Sequence, residues 1–181
     1  MSEYSDKELL SLFHNKESKN YAFNLVVRKY QEQLYWHIRK IVITHDDTDD
    51  VLQNTFIKAL KGLENFREES KLYTWLYRIA TNESLSFLKQ KRTKYFLPVV
   101  DVEKQLISSL ESDVYYDGDE IQLKLQKAVL KLPEKQRLIF NMKYFDEMKY
   151  KEISKILDVS EGSLKASYHH AVKKIKKYVT E

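Results

Sequence analysis

The chain of 181 residues contains no cysteine, two prolines and three glycines. Without cysteine there is no disulfide framework, no thiol nucleophile and no cysteine-ligated zinc or iron–sulfur site. Sheets need turns, and turns draw on Gly, Pro and Asn-Gly pairs, so the scarcity of glycine (Gly62, Gly118, Gly162) and proline (Pro98, Pro133) speaks against a β fold. It also excludes Gly-rich phosphate loops of the GxGxxG and GxxxxGK types. No stretch approaches the roughly 18 uninterrupted apolar residues of a membrane span. The opening MSEYSDKELLSLFHNKE lacks the apolar core, about 7–15 residues long, of a secretory signal. The expectation is a soluble, reducing-compartment, all-α protein of long helices and short polar connections.

Charge is nearly balanced over the whole, with 31 basic and 27 acidic residues, but not along the chain. Residues 1–97 carry net +3, residues 98–120 net −6 and residues 121–181 net +7. The middle stretch, PVVDVEKQLISSLESDVYYDGDE, has weak periodicity, and it reads as a flexible acidic linker between two small helical domains.

In the first domain, Ser5 and Glu8 form a capping box ahead of Leu9, Leu10, Leu12 and Phe13. A periodic stretch from about Asn20 to Ile43 places Phe23, Val26, Val27, Tyr30, Leu34 and Ile38 on one face. THDDTDD supplies the acidic start of the next helix, and Gly62 is placed to stop it. A helix over about Lys71–Arg92 follows, with the stripe Leu72, Trp75, Leu76, Ile79, Ala80 and Phe87; four basic residues (Lys89, Lys91, Arg92, Lys94) mark its end. In the second domain, a helix through Ile121–Leu132 precedes Pro133, which suits the start of a new helix. YKEISKIL, the turn DVS and a long basic helix over Glu161–Val179, capped by Ser160, then make a helix-turn-helix.

Three patterns could carry chemistry. His169 and His170 are adjacent, about 100° apart on a helix, which suits a metal poorly, and no further ligands accompany them. The run Asp46, Asp47, Asp49 and Asp50 lacks the Gly and Glu of a calcium loop, so a helix start explains it better. On the helix near residues 71–92, Tyr73 and Tyr77 occupy one flank and Trp75, Arg78 and Asn82 another. Aromatic rings beside cations and an amide suit single-stranded nucleic acid, where stacking contributes about 1–3 kcal/mol per base; a core role for Trp75 explains the same spacing. No nucleophile–base pair or paired carboxylate points to catalysis, and no cofactor is implied.

These pieces resemble the sigma-70 family, and within it the small extracytoplasmic-function (ECF) group. DDVLQNTFIKALKGLENF and FREESKLYTWLYRIATNESLSFLKQKR are similar to the family's second region, and LPEKQRLIFNMKYFDEMKYKEISKILDVSEGSLKASYHHAVKKIKK to its fourth. The resemblance implies a promoter-specificity subunit, not an enzyme, whose partners are core RNA polymerase, promoter DNA and, in some members, an anti-sigma factor. It implies polymerase contacts at Asp50, Gln53, Asn54 and Phe56, and −10 element contacts at Phe66, Trp75, Arg78 and Asn82. It also implies −35 element contacts at Ser163, Lys165, Ser167, His169, His170 and Lys173. Where members commonly show GTVKSRLHRAR, this chain has GSLKASYHHAV, so Ser167, His170 and Val172 stand where arginines are frequent. Arginine pairs bidentately with guanine and serine and valine do not, while His170 can still donate a hydrogen bond, so the family's usual −35 sequence is not expected. The flexible acidic linker would leave the free protein a poor promoter binder until polymerase fixed the spacing of the two domains. Two other classes fit parts of the sequence. An autonomous helix-turn-helix regulator explains only residues 121–181, and a helical adaptor explains no DNA-facing feature.

Overall fold

The structure, a computed structural model, describes residues 4–94, 99–113 and 120–180, with side chains left aside over residues 99–103. The described residues form nine α-helices and no strand: α1 (Asp6–His14), α2 (Lys19–Val42), α3 (His45–Gly62), α4 (Leu72–Lys94), α5 (Val99–Glu111), α6 (Glu120–Leu130), α7 (Glu134–Phe140), α8 (Tyr150–Leu157) and α9 (Glu161–Thr180). A 3-10 turn over Leu63–Asn65 follows α3, and a π-helical turn over Asn141–Phe145 extends α7.

Local chemistry sets the ends. At α1 the Ser5 amide donates to Glu8 Oε2 (2.7 Å) and the Glu8 amide to Ser5 Oγ (3.3 Å), the expected capping box. Thr44 caps α3 by accepting from the Asp47 amide (3.3 Å), with Asp46 and Asp47 in the first turn at the positive end of the helix dipole. Ser160 accepts from the Ser163 amide (3.3 Å) at the start of α9. Between α8 and α9, Asp158 takes the left-handed conformation (φ 54°, ψ 49°), which short polar side chains tolerate, and so closes the three-residue turn. Gly62 behaves differently from expectation. It ends α3 with φ −82°, not in a left-handed cap.

Helices α1–α4 pack as a bundle around Leu9, Phe13, Val26, Leu34, Ile38, Val51, Leu63, Leu72 and Leu76, all at most 2% exposed. That core does not stop at the first half. Leu138, Ile139, Met142, Met148, Ile153, Ile156 and Leu164 from α7–α9 join it, with α8 lying along α4. A smaller core of Ala128, Val129, Leu132, Phe140, Ala171 and Ile175 ties α6 and α7 to α9.

The stretch expected to be a flexible linker differs most from expectation: residues 99–111 form α5. Leu106 and Leu110, one turn apart, are 7% and 0% exposed, and this i,i+4 apolar pair gives the helix a face to bury. Its acidic groups find basic partners on both sides: Glu111 pairs with Lys127 (2.6 Å), and Asp113, just past the helix, pairs with Arg39. The expected boundary at residues 97–98 and the acidic pair Asp117 and Asp119 lie outside the described residues.

Leu34 is fully buried and Gln31 is exposed on the same helix. Leu34→Ala should cost about 2–5 kcal/mol in urea unfolding, and Gln31→Ala less than about 0.5 kcal/mol. Similar costs for the two would contradict the placement of α2.

Candidate nucleic-acid and polymerase interfaces

A concave site sits where the loop after α3 meets the start of α4. Phe66 and Trp75 pack with ring centroids 5.1 Å apart at 45°. They line a cleft of about 460 Å³ together with Arg67, Thr74 and Arg78. Lys155 and Asp158, from α8 and its turn, form the opposite wall. An aromatic wall flanked by two guanidinium groups suits a planar, electron-rich ring attached to a phosphate backbone. Trp75 is half-buried, so its edge serves the core while part of its surface faces the cleft. Both sequence readings of this residue therefore hold. Asn82 is exposed two turns beyond Trp75 on the same side of α4, outside the cleft lining.

Gly62 explains how Trp75 is seated. A Cβ built at Gly62 would lie 2.9 Å from Trp75 Cζ2, too close for any side chain unless the indole moves. The glycine is there to admit the ring. The other aromatic flank does not reach solvent in the same way. Tyr77 is 3% exposed, its hydroxyl donates to the Gln33 carbonyl (3.3 Å), and its ring lies 4.7 Å from that of His37. Burial pushes its phenol well above the ordinary tyrosine range and that of Tyr73, 4.4 Å away, to about 12.

On α3, Asp50, Gln53 and Asn54 are exposed and stand with the exposed Ile57 (46%) on one face. Phe56 points the other way. It is 9% exposed and meets Phe23 edge-on (6.4 Å), so it holds α3 in place and does not belong to the exposed stripe.

On α9, Leu164, Ala171 and Ile175 are buried, while Ser163, Lys165, His169, His170 and Lys173 are exposed and Ser167 is half-buried. Tyr168 stacks on Phe140 (5.8 Å, 17°), which fixes the rotation of the helix. Lys165 Nζ lies 5.8 Å from the Tyr150 ring centroid, a cation–π contact that draws this lysine back towards α8. Ile153 and Leu164 lock α8 and α9 into the helix-turn-helix, leaving the first turns of α9 exposed on the side away from the core.

Comparison with known proteins agrees with this geometry. The profile of sigma-70 region 2 matches residues 26–94 and that of sigma-70 region 4 residues 122–175. The ECF RNA polymerase sigma-E factor of Salmonella typhimurium is 30% identical over 160 residues, covering 83% of this chain and 82% of the relative. The chain belongs to the ECF group of the sigma-70 family. The ECF RNA polymerase sigma factor SigW of Bacillus subtilis is 28% identical over 175 residues, covering 92% of this chain and 93% of the relative. The fold matches that of the sigma factor RpoE from Bartonella quintana, solved in complex with the anti-sigma factor NepR. That match has a TM-score of 0.67 and 18% identity, over 87% of this chain and 96% of that chain. This sigma factor is thus a promoter-recognising subunit of RNA polymerase. No helix among the described residues is long and apolar enough to cross a membrane.

Sequence reasoning missed what lies between the two matched regions. His37 Nδ1 meets Asp146 Oδ2 (2.8 Å), His37 Nε2 meets Thr81 Oγ1 (2.9 Å), and Lys40 grips the other Asp146 oxygen. These partners are separated by up to 109 positions, so no local pattern announces them. Burial pushes the Asp146 carboxyl up, but the hydrogen bond and charge of His37, with those of Lys40, outweigh it and hold it below the ordinary carboxylate range.

In a Trp36→Phe background, where Trp75 is the sole indole, Gly62→Ala should shift the fluorescence emission of the folded protein, because the ring must leave its seat. An unchanged spectrum would contradict the close packing of Gly62 and Trp75.

Proposed function

We propose that the Phe66–Trp75 cleft takes an unstacked base of the −10 element, with Arg67 and Arg78 holding the adjoining phosphates and Asn82 contacting the strand beyond. The tilted pair of half-buried rings beside two exposed arginines carries this reading. The exposed α3 stripe of Asp50, Gln53, Asn54 and Ile57 docks on core polymerase, and Phe56 supports it from beneath. The first turns of α9 read the −35 element as duplex. Ser163, Lys165, Ser167, His169 and His170 face the bases, and Lys173, Lys176 and Lys177 neutralise phosphate. Residues 1–97 act as the −10 and polymerase domain, residues 121–181 as the −35 domain, and residues 98–120 as the acidic connection.

On this reading the protein works in the cytoplasm as a regulatory subunit and performs no catalysis of its own. An anti-sigma factor is a further candidate partner, as for the Bartonella quintana relative. The autonomous regulator has less support, because it leaves the Trp75 cleft and the α3 stripe without a use.

The test is open-complex formation by the reconstituted holoenzyme on a cognate promoter. Trp75→Ala should cost about 1–3 kcal/mol of melting free energy through lost base stacking, with core binding retained. Melting unaffected by Trp75→Ala would sink the cleft assignment. For the upstream element, Lys165→Ala should cost about 1–3 kcal/mol on the preferred sequence and relax discrimination there, while Lys176→Ala should weaken all sequences alike and flatten the salt dependence. Equal effects of the two across sequence variants would contradict the docking of α9.

A further inference from the structure

The exposed face of α9 carries one lysine that the fold holds and others that it leaves extended. Lys165 Nζ lies 5.8 Å from the centroid of the Tyr150 ring, within reach of a cation–π contact. Tyr150 is the first residue of α8 and Lys165 stands in the early turns of α9, so the contact crosses the bend of the helix-turn-helix. Among the described residues Lys165 has no carboxylate partner, and the ring is what holds it. Lys173 and Lys176, further along the same helix, are exposed and contact no ring among the described residues.

Tyr150 is itself fixed from several sides. Lys143 Nζ, from the π-helical turn after α7, donates to the Met148 carbonyl (3.1 Å) and lies 5.3 Å from the Tyr150 ring centroid. Tyr168 of α9 meets the same ring edge-on (6.4 Å, 76°) and stacks on the buried Phe140. The backbone beneath is set by a reciprocal pair of bonds: the Lys149 amide donates to Glu152 Oε2 (3.1 Å) and the Glu152 amide to the Lys149 carbonyl (2.9 Å). Such a platform matters because of what α9 lacks. Its opening, EGSLKASYHHAV, contains no arginine. Arginine carries a rigid fork of donors, whereas lysine is a point charge on a flexible stem. Ordering that stem opposes binding, and a ring that already holds the ammonium removes part of the penalty before DNA arrives.

We propose that Tyr150 is a positioning residue for base recognition: its ring holds the Lys165 ammonium in one place, so that a lysine makes the directed contact to a guanine edge that an arginine fork would otherwise make. The proposal rests on the reading of α9 as the −35 reader. Lys165 donates to O6 and N7 of a guanine in the major groove, and Tyr150 acts through Lys165 without touching DNA. A phenylalanine ring has the same negative face as a tyrosine ring, so the contact depends on the ring and not on its hydroxyl. Cation–π contacts that are partly exposed are modest, and losing this one should lower the preference for that base pair about three- to fivefold.

The test uses holoenzyme reconstituted from core RNA polymerase and the full chain, on a promoter it transcribes, with each −35 base pair changed in turn and competition binding as the readout. Lys165→Ala should relax the preference at one base pair. Tyr150→Leu should lower the preference at that same base pair about three- to fivefold and leave the others, and Tyr150→Phe should keep it. In the Lys165→Ala background, Tyr150→Leu should add nothing. A loss spread evenly over all positions, or a Tyr150→Leu effect that persists without Lys165, would overturn the proposal, because Tyr150 would then be a structural or a DNA-contacting residue. A clear effect of Lys165→Ala beside none of Tyr150→Leu would overturn the positioning and leave the reading of α9 standing. No effect of Lys165→Ala at any base pair would defeat both. The free chain offers a check that needs neither DNA nor polymerase. In its NMR spectrum the Lys165 ε-methylene protons should be displaced upfield by the Tyr150 ring and should return towards the ordinary lysine position in Tyr150→Leu. Undisplaced resonances in the unsubstituted chain would also overturn the proposal.

Discussion

A buried carboxylate needs hydrogen-bond partners, and in this sigma factor Asp146 finds them on the far half of the chain. His37 and Lys40 come from α2, while Asp146 closes the turn that leads into the helix-turn-helix. Removing the Lys40 cation would leave a 5%-exposed carboxylate without its ammonium partner, so the two halves are held together by a requirement stronger than ordinary surface pairing. The apolar residues beside it follow the same line. Met148, Ile153 and Ile156 pack into the core that α2 and α4 build, and α8 is carried up to the edge of the Trp75 cleft.

From that seam the positions of the candidate surfaces follow. Gly62 leaves room for the indole, Phe66 lies against it, and Arg67 and Arg78 flank the opening. Phe56 anchors α3 so that Asp50, Gln53 and Asn54 face outwards. The Phe140–Tyr168 stack turns α9 so that its histidines and lysines face solvent. Each surface is polar chemistry placed by an apolar contact on the opposite side of the same helix.

Much of this was legible in the sequence because helices announce themselves locally. The Ser5–Glu8 box, the acidic start of α3, Pro133 ahead of α7 and the YKEISKIL–DVS–α9 sequence were read at the positions where the structure has them. Individual roles were less legible. Phe56 and Tyr77 share helices with exposed polar residues, and only the neighbouring helices decide that they point inwards. The stretch 98–120 looked like a loose tether because its acidic residues masked the buried Leu106–Leu110 pair of α5, which packs beside α6. The His37–Asp146 contact has no sequence signal at all, since charge pairing across 109 positions leaves no periodicity. That contact changes the physical reason for expecting weak binding by the free protein. A floppy tether would leave the two halves unaligned, whereas the seam fixes α8 beside the cleft, with Lys155 and Asp158 as its opposite wall.

Both versions place promoter recognition in the complex with polymerase, and that claim is the one to test first. The measurement is transcription in vitro from a pool of genomic fragments, with core RNA polymerase in the presence and absence of this chain. Discrete new start sites that need both components, sharing a −10 and a −35 sequence, are the predicted result. No new start sites, together with tight duplex binding by the chain alone, would contradict the account and favour an autonomous regulator.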